Sequence, residues 1–91
     1  MNKAEMVAAV AEKTGLSKKD SERAINATFE TITDALEAGD RVQLVGFGAF
    51  DIKQRAARVG RNPRTNEEVQ IAASRIPVFK PGKALKETVD K

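Results

Sequence analysis

The feature that most constrains the fold is a basic segment in the middle of the chain, residues 53–66. It holds five lysines or arginines and no acid, and it has too few apolar side chains to form part of a core. Its basic residues recur every two or three positions, and it ends in the turn-forming sequence Arg-Asn-Pro-Arg-Thr-Asn at residues 61–66. Asn and Pro favour turns between strands. The segment therefore predicts a two-stranded arm that projects from the body, with Pro63 near its tip.

The charge is divided unevenly between the two halves of the chain. Residues 1–40 carry 5 basic and 8 acidic side chains, a net charge of −3, whereas residues 41–91 carry 11 basic and 5 acidic, a net charge of +6. Clustered cations favour binding to a polyanion because they release its condensed counterions. We therefore expect the second half to bind a nucleic acid, with a solvated strand surface as the alternative explanation of the charge.

Length and composition restrict the other classes of function. The 91 residues predict a single domain, 1–91, and once the arm is set aside about 75 of them remain for a core, which favours an oligomer. The absence of cysteine and histidine excludes disulfides and the common zinc sites, so neither a metal nor a cofactor is predicted. No signal peptide and no apolar run long enough to span a membrane is visible. We expect a cytoplasmic protein with no membrane partner and no small-molecule substrate.

The first half of the chain predicts a helical hairpin. Asn2 and Glu5 can cap a first helix at about residues 3–14, and Gly15 follows as its C-terminal stop. Ser17 can begin a second helix at about residues 18–38, whose apolar side chains repeat at helical spacing before a glycine ends it. A helix-turn-helix that reads DNA itself is the alternative, but acids offset the lysines at the start of the second helix.

The second half predicts strands, the arm and a short last helix. Two strands around Val42–Leu44 and Phe50–Ile52 show a period of two and meet at a turn over residues 45–49. After the arm, a third strand at residues 77–79 returns to the body, and Pro-Gly precedes a helix at about residues 83–90. The single Gly-x-Gly in the turn is a weak signal for a phosphate loop, and a hairpin turn is the preferred interpretation.

Large apolar side chains outside the arm are candidates for a core shared between two copies of the chain. The alternative for the four phenylalanines is that they stack on bases, but their position in helix and strand patterns favours burial. The predicted dimer core comprises Phe29, Ile32, Leu36, Leu44, Phe47, Phe50 and Phe79.

Three motifs carry a family resemblance: Gly-Phe-Gly-Ala-Phe at residues 46–50, Gly-Arg-Asn-Pro-x-Thr at residues 60–65, and Pro-x-Phe-Lys-Pro-Gly-Lys-x-Leu-Lys at residues 77–86. Together they resemble the signature of the bacterial histone-like HU family, relatives of integration host factor, and the likeness extends over the whole chain. The resemblance implies an α+β fold: an N-terminal helical hairpin, a three-stranded antiparallel sheet extended into a β-ribbon arm, and a short C-terminal helix. It also implies an intertwined homodimer, with residues 1–40 in dimerisation and residues 41–91 forming a strand saddle, an arm at about 53–75 and the last helix.

The resemblance further implies the partner and the site. Members of the family bind, bend and compact double-stranded DNA in the nucleoid through arms in the minor groove, and the proline at the arm tip intercalates between base pairs. That role would fall to Pro63 here. The implied DNA-binding residues are Lys3, Lys53, Arg55, Arg58, Arg61, Asn62, Pro63, Arg64, Arg75, Lys80, Lys83 and Lys86.

Two departures from the family pattern concern the arm tip. Asn66 stands where the family commonly has glycine, and asparagine tolerates the left-handed conformation that a turn can require. Glu67 and Glu68 follow directly, and they would repel phosphate unless they point outward or pair with Arg61 or Arg64. We expect an intact hairpin with ordinary or slightly reduced affinity.

Several alternatives remain open from the sequence. Pro63 could serve only as a turn former, although the flanking arginines would suit a wedge between bases better. A sequence-specific bender of the integration host factor type would share the fold, and duplex RNA could replace DNA as the polyanion. An enzyme is not predicted because the acids of the basic half, Asp51, Glu67, Glu68, Glu87 and Asp90, form no recognisable cluster.

Overall fold

The computed structural model describes residues 1–90 and has the predicted α+β composition, with Lys91 outside the described residues. Its elements in chain order are α1 (Lys3–Thr14), α2 (Lys18–Glu37), β1 (Val42–Leu44), β2 (Gly48–Arg55), β3 (Arg58–Arg61), β4 (Glu68–Ile71), β5 (Ser74–Pro81) and α3 (Lys83–Val89). The helical hairpin, the three-stranded sheet, the ribbon and the last helix are thus confirmed. The second and last helices each end one residue earlier than predicted.

The two long helices begin at the predicted caps. The side-chain oxygen of Asn2 accepts a hydrogen bond from the Glu5 amide at 2.9 Å, and Ser17 Oγ accepts one from the Asp20 amide at 3.0 Å. These bonds satisfy amides that have no partner within the helix. Gly15 ends α1 in the left-handed region at φ 75°, with its amide bonded to the Ala11 carbonyl. Local hydrogen bonding therefore explains both helix starts and the turn between them.

The body sheet is antiparallel with the strand order β1-β2-β5. Phe50 pairs with Val42 on one side and with Phe79 on the other, so β2 lies at the centre. The turn between β1 and β2 is shorter than predicted, because Gly48 already belongs to β2. A Cβ at Gly48 would lie 2.6 Å from both the Lys80 carbonyl oxygen and the Phe79 ring, so the neighbouring strand leaves no room for a side chain there.

The arm is a separate two-stranded sheet formed by β3 and β4. It is divided from the body sheet at Ala56–Ala57 on the outgoing strand and at Ala72–Ala73 on the returning strand, where neither alanine pair belongs to a strand. The described chain measures 58 × 30 × 28 Å and has a radius of gyration of 18.8 Å, compared with about 12 Å expected for a compact domain of this length. The arm therefore stands away from the body.

The core of the single chain is small. Val7, Ile25 and Ala49 are the buried apolar residues among those described. Three of the four phenylalanines predicted for a shared dimer core are exposed in the single chain, among them Phe29 at 50% and Phe47 at 46%. A protein of this length does not normally leave such side chains in water, because burying each one contributes about 1.5–3 kcal/mol.

Part of this apolar surface lines an open cavity of about 610 Å³ between α2 and the body sheet. The apolar side chains around it are Phe29, Ile32, Leu36, Phe50, Ile52, Ile76 and Pro77. Beside this surface, Phe79 contacts two other aromatic rings, with centroid distances of 4.9 Å to Phe50 and 5.4 Å to Phe47.

Among residues 1–90, no helix is long and apolar enough to cross a membrane.

Candidate nucleic-acid interface

The arm ribbon carries its basic side chains on both faces. Arg58 pairs with Ile71 and Arg61 pairs with Glu68 in the antiparallel register. Because side chains alternate along a strand, residues three apart face opposite ways, so Arg58 and Arg61 lie on opposite faces of the ribbon. Both are exposed. The ribbon can therefore present positive charge to both walls of a groove at once.

The arm tip is closed by a network of hydrogen bonds around Asn62. Its amide donates to the Glu67 carbonyl at 2.9 Å, its carbonyl accepts from the Asn66 amide at 2.8 Å, and its side-chain oxygen accepts from the Arg64 amide at 2.9 Å. This arrangement closes a turn over residues 63–65, in which Pro63 is the first residue and is exposed. Asn62, predicted from the resemblance to touch DNA, thus also organises the tip internally.

Asn66 adopts the left-handed conformation at φ 59°, the only non-glycine residue among residues 1–90 to do so. Asparagine is among the side chains that tolerate this region, and the hairpin is intact, as the sequence predicted. Its side-chain oxygen also accepts a hydrogen bond from Arg61 Nη1 at 3.3 Å. This bond connects the two sides of the tip.

The two acids after the tip, Glu67 and Glu68, are exposed. Within the described part of the chain, no ion pair within 4.0 Å joins either of them to Arg61 or Arg64. The pairing that the sequence left open is therefore absent, and both carboxylates remain free to repel a phosphate that approaches the tip.

A basic hollow lies where the arm meets the body. It has a volume of about 580 Å³ and is lined by Lys53, Arg55 and Arg58 on the outgoing side and by Ile71, Ala72 and Ser74 on the returning side. Ala56, Ala57 and Ala72 also line the hollow, and their small side chains leave it open. The structure thus brings three of the predicted cations together at the arm root.

A second group of charges occupies the face of the body sheet that also carries Lys53. The Asp51 carboxylate lies 3.7 Å from Lys80 Nζ and 3.8 Å from Arg41 Nε. A hydrogen bond from the Ile52 amide, assisted by these two cations and opposed by partial burial, lowers the pKa of Asp51 below its ordinary value of 3.8. The sequence did not single out Arg41 or the role of Asp51, and the strand register that brings them together is the signal that could have identified them.

The remaining predicted cations lie apart from the arm. Lys83 forms an ion pair of 3.9 Å with Glu87 one turn along α3, and Lys86 is exposed in the last turn of that helix. Lys3 lies on the helical side, beside Asn26 and Glu30 of α2. Arg75 is directed at the end of α2, with Nη2 donating to the Leu36 carbonyl at 3.0 Å and to the Glu37 carbonyl at 3.2 Å.

Comparisons with known proteins cover nearly the whole chain. A family model described as bacterial DNA-binding protein matches residues 1–90. The DNA-binding protein HU of Geobacillus stearothermophilus is 61% identical over 89 residues, covering 98% of this chain and 99% of the relative. DNA-binding protein HU 1 of Bacillus subtilis is 57% identical over 89 residues, covering 98% of this chain and 97% of the relative.

Solved structures give the same result. The chain in a cocrystal structure of Anabaena HU with DNA is 50% identical and superimposes with a TM-score of 0.91, covering 98% of this chain and 97% of that one. The HU of Thermotoga maritima is 40% identical with a TM-score of 0.69 and covers 98% of both chains.

Proposed function

The chain belongs to the bacterial DNA-binding protein family, and we propose that it is a histone-like protein that binds double-stranded DNA with little sequence preference, bends it and compacts the bacterial chromosome. The observation that carries this proposal is the basic ribbon standing off the body, β3 and β4, with exposed arginines on both faces. A ribbon of this kind contributes nothing to the core of the chain. Its charge and shape instead fit a groove lined by phosphates.

Binding by this surface depends on backbone charge and on DNA deformability. The arm offers arginines to the walls of a narrow minor groove, where the electrostatic potential is most negative. Pro63, exposed at the tip, provides an apolar ring that replaces a base-stacking contact when the duplex kinks. The proposed contacts are Lys3, Lys53, Arg55, Arg58, Arg61, Asn62, Pro63, Arg64, Lys80, Lys83 and Lys86. Arg75, which the resemblance also implies as a contact, is set apart from these because it donates to the end of α2.

The functional unit in this proposal is a homodimer. A second copy of the chain would cover the exposed rings of Phe29 and Phe47 and fill the apolar cavity between α2 and the sheet. Residues 1–40 then supply much of the dimer contact, and residues 41–91 supply the saddle, an arm at about 53–75 and the last helix, within one domain. Two arms per dimer allow the protein to hold a duplex from both sides.

The proposal assigns the protein an architectural role at the nucleoid and no enzymatic activity. The bound state itself is the function, because a bent or wrapped duplex occupies less volume and approaches other DNA segments more readily. Sequence-specific reading is not part of the proposal, since the arm presents charge and an apolar tip and does not place a recognition helix in the major groove.

A gel-shift series with linear, nicked and four-way DNA of unrelated sequences tests the proposal. We expect binding to all of them, tighter binding where a kink is already available, and displacement by duplex DNA more than by duplex RNA. If a dimer neutralises about 6–10 phosphates, affinity falls by about 10³ to 10⁵ between about 50 and 200 mM salt. A footprint confined to one consensus sequence, or affinity that hardly responds to salt, would contradict the proposal.

The dimer has its own test. Its unfolding midpoint rises with protein concentration, because association stabilises only the folded state. Sedimentation showing a folded monomer of about the 9.9 kDa of one chain at micromolar concentration would refute the dimer while leaving DNA binding open.

A further inference from the structure

The C-terminal end of α2 is a concentration of negative charge. Residues 24–40 contain four acids and no lysine or arginine, and no basic residue occupies the last turn of the helix. The last carbonyls of a helix lack intrahelical partners and carry the negative end of the helix dipole. Asp34 and Glu37 add like charge at this end, so a cation from elsewhere in the fold would stabilise it.

Arg75 is the residue that supplies this cation. Its guanidinium Nη2 donates hydrogen bonds to the carbonyls of Leu36 and Glu37, which are 39 and 38 positions away in sequence. Backbone amides after the helix donate to the carbonyls of Asp34, Ala35 and Leu36, but within residues 1–90 no backbone amide donates to the Glu37 carbonyl. Arg75 therefore completes the helix end, with charge as well as hydrogen bonds.

The location of Arg75 gives this contact a second consequence. Arg75 is the second residue of β5, directly after the Ala72–Ala73 break where the returning side of the arm joins the body, and it pairs with Gln54 of β2. Its side chain thus ties the root of the arm to the helical hairpin. Without this tie, the break at the alanine pairs is flanked only by strand pairing.

We propose that Arg75 is a positioning residue, which caps α2 from the arm root and so fixes the direction of the arm relative to the body. In this assignment Arg75 acts through the position it gives the arm and not as a phosphate ligand, because its Nη2 group is directed at the helix end. The consequence for DNA bending rests on the proposed function, since the direction of the arm decides where Pro63 meets the duplex. The capping role itself is independent of DNA.

The test compares Arg75→Ala with Arg55→Ala, which removes an exposed cation at the end of β2, beside the arm root, whose side chain makes no protein hydrogen bond within residues 1–90. For Arg75→Ala we expect the unfolding equilibrium constant to rise about 2- to 5-fold per protomer, the scale of an exposed cation at a helix end. We expect the salt dependence of DNA affinity to stay at the wild-type slope. For Arg55→Ala we expect unchanged stability. The slope of log affinity against log salt concentration should be shallower by about one to two units per dimer, since the mutation appears twice.

Two further measurements separate positioning from stabilisation alone. The chain has no cysteine, so a spin label at Thr65→Cys reports the distance between the two arm tips of a DNA-free dimer. We expect Arg75→Ala to shift and broaden this distance, and to lengthen the end-to-end distance of a saturated labelled duplex at a temperature where the variant is fully folded. Arg75→Lys should bring the tip-to-tip distance and the duplex end-to-end distance part of the way back to the wild-type values. Its ammonium group keeps the positive charge but lacks the planar set of N–H donors of a guanidinium.

Each outcome decides the proposal. If Arg75→Ala has wild-type stability but a weaker salt dependence of DNA affinity, as expected for Arg55→Ala, then Arg75 is a phosphate ligand. Lower stability of Arg75→Ala with a wild-type tip distance and a wild-type bend would mean that Arg75 only stabilises α2 and does not position the arm. If Arg75→Ala does not fold, the same measurements on Arg75→Lys decide. If instead wild-type protein shows no salt-dependent DNA binding, the proposed function fails, while stability and the tip distance still decide the role of Arg75.

Discussion

The carboxylate of Asp51 lies 3.7 Å from the ammonium group of Lys80, one of the cations proposed to contact DNA. The same carboxylate lies 3.8 Å from Arg41 Nε, so it partly neutralises two positive charges on one face of the body sheet. A lysine that is already paired gains less from a phosphate, because it must exchange one anion for another. Asp51 therefore lowers the affinity that this face could reach.

Replacing Asp51 by asparagine should strengthen DNA binding. We expect Asp51→Asn to raise affinity at low salt by about two- to fivefold per protomer, the scale of an exposed ion pair, and to steepen the salt dependence. Glu12→Gln makes the same charge change on α1, away from the sheet, and serves as the control. An equal gain in both variants would show that only net charge matters.

The hydrogen bond from the Ile52 amide to Asp51, together with the same ion pairs, gives stability a defined dependence on pH. The pKa of Asp51 is lowered in the folded state below its ordinary value of 3.8, so its contribution is present above the unfolded pKa and is lost as pH falls through the folded pKa. The difference in unfolding midpoint between wild type and Asp51→Asn should be constant near neutral pH and shrink in acid below about pH 4. A difference that already changes between about pH 5 and 7 would contradict this assignment.

Gly48 should tolerate no side chain. Its Cβ would meet the Lys80 carbonyl oxygen at 2.6 Å, a backbone atom that cannot move without disturbing β5. We expect Gly48→Ala to destabilise the protein by about 1–3 kcal/mol, measured by chemical unfolding. Gly60→Ala is the matched control, because the atom nearest its Cβ is the end of the flexible Ile71 side chain at 2.9 Å. Equal losses at both sites would show that glycine flexibility, and not the close approach, is what matters.

Removing the hydroxyl of Ser21 should preserve or raise the stability of the protein. The side chain is fully buried, and its Oγ has no hydrogen-bond partner within residues 1–90. A buried polar group without a partner costs about 1–3 kcal/mol, so Ser21→Ala should leave stability unchanged or raise it by about 1 kcal/mol. Ser17→Ala, which removes the cap of the same helix, should instead lower stability by about 1 kcal/mol. A marked loss with Ser21→Ala would mean that the hydroxyl is bonded in the dimer.

Local patterns were enough to predict the elements, whereas contacts between distant parts of the chain were not predicted. Asn2 and Ser17 cap their helices within three residues, and the turn chemistry around Pro63 likewise depends on near neighbours. The break at Ala56–Ala57 went unpredicted because alanine carries no turn signal. The contact of Arg75 with α2 joins residues 39 apart, so no sequence window contains both partners.

The central claim, that the arm bends DNA with Pro63 as a wedge, is tested most directly by the end-to-end distance of a labelled duplex at saturating protein. We expect wild type to shorten this distance strongly and Pro63→Ala to shorten it less, with the dimer folded and the salt dependence nearly unchanged. The reason is that unstacking a base step costs a few kcal/mol, which the inserted ring offsets. An unaltered bend with Pro63→Ala, or weaker binding to every duplex alike, would contradict the wedge and leave Pro63 as a turn former.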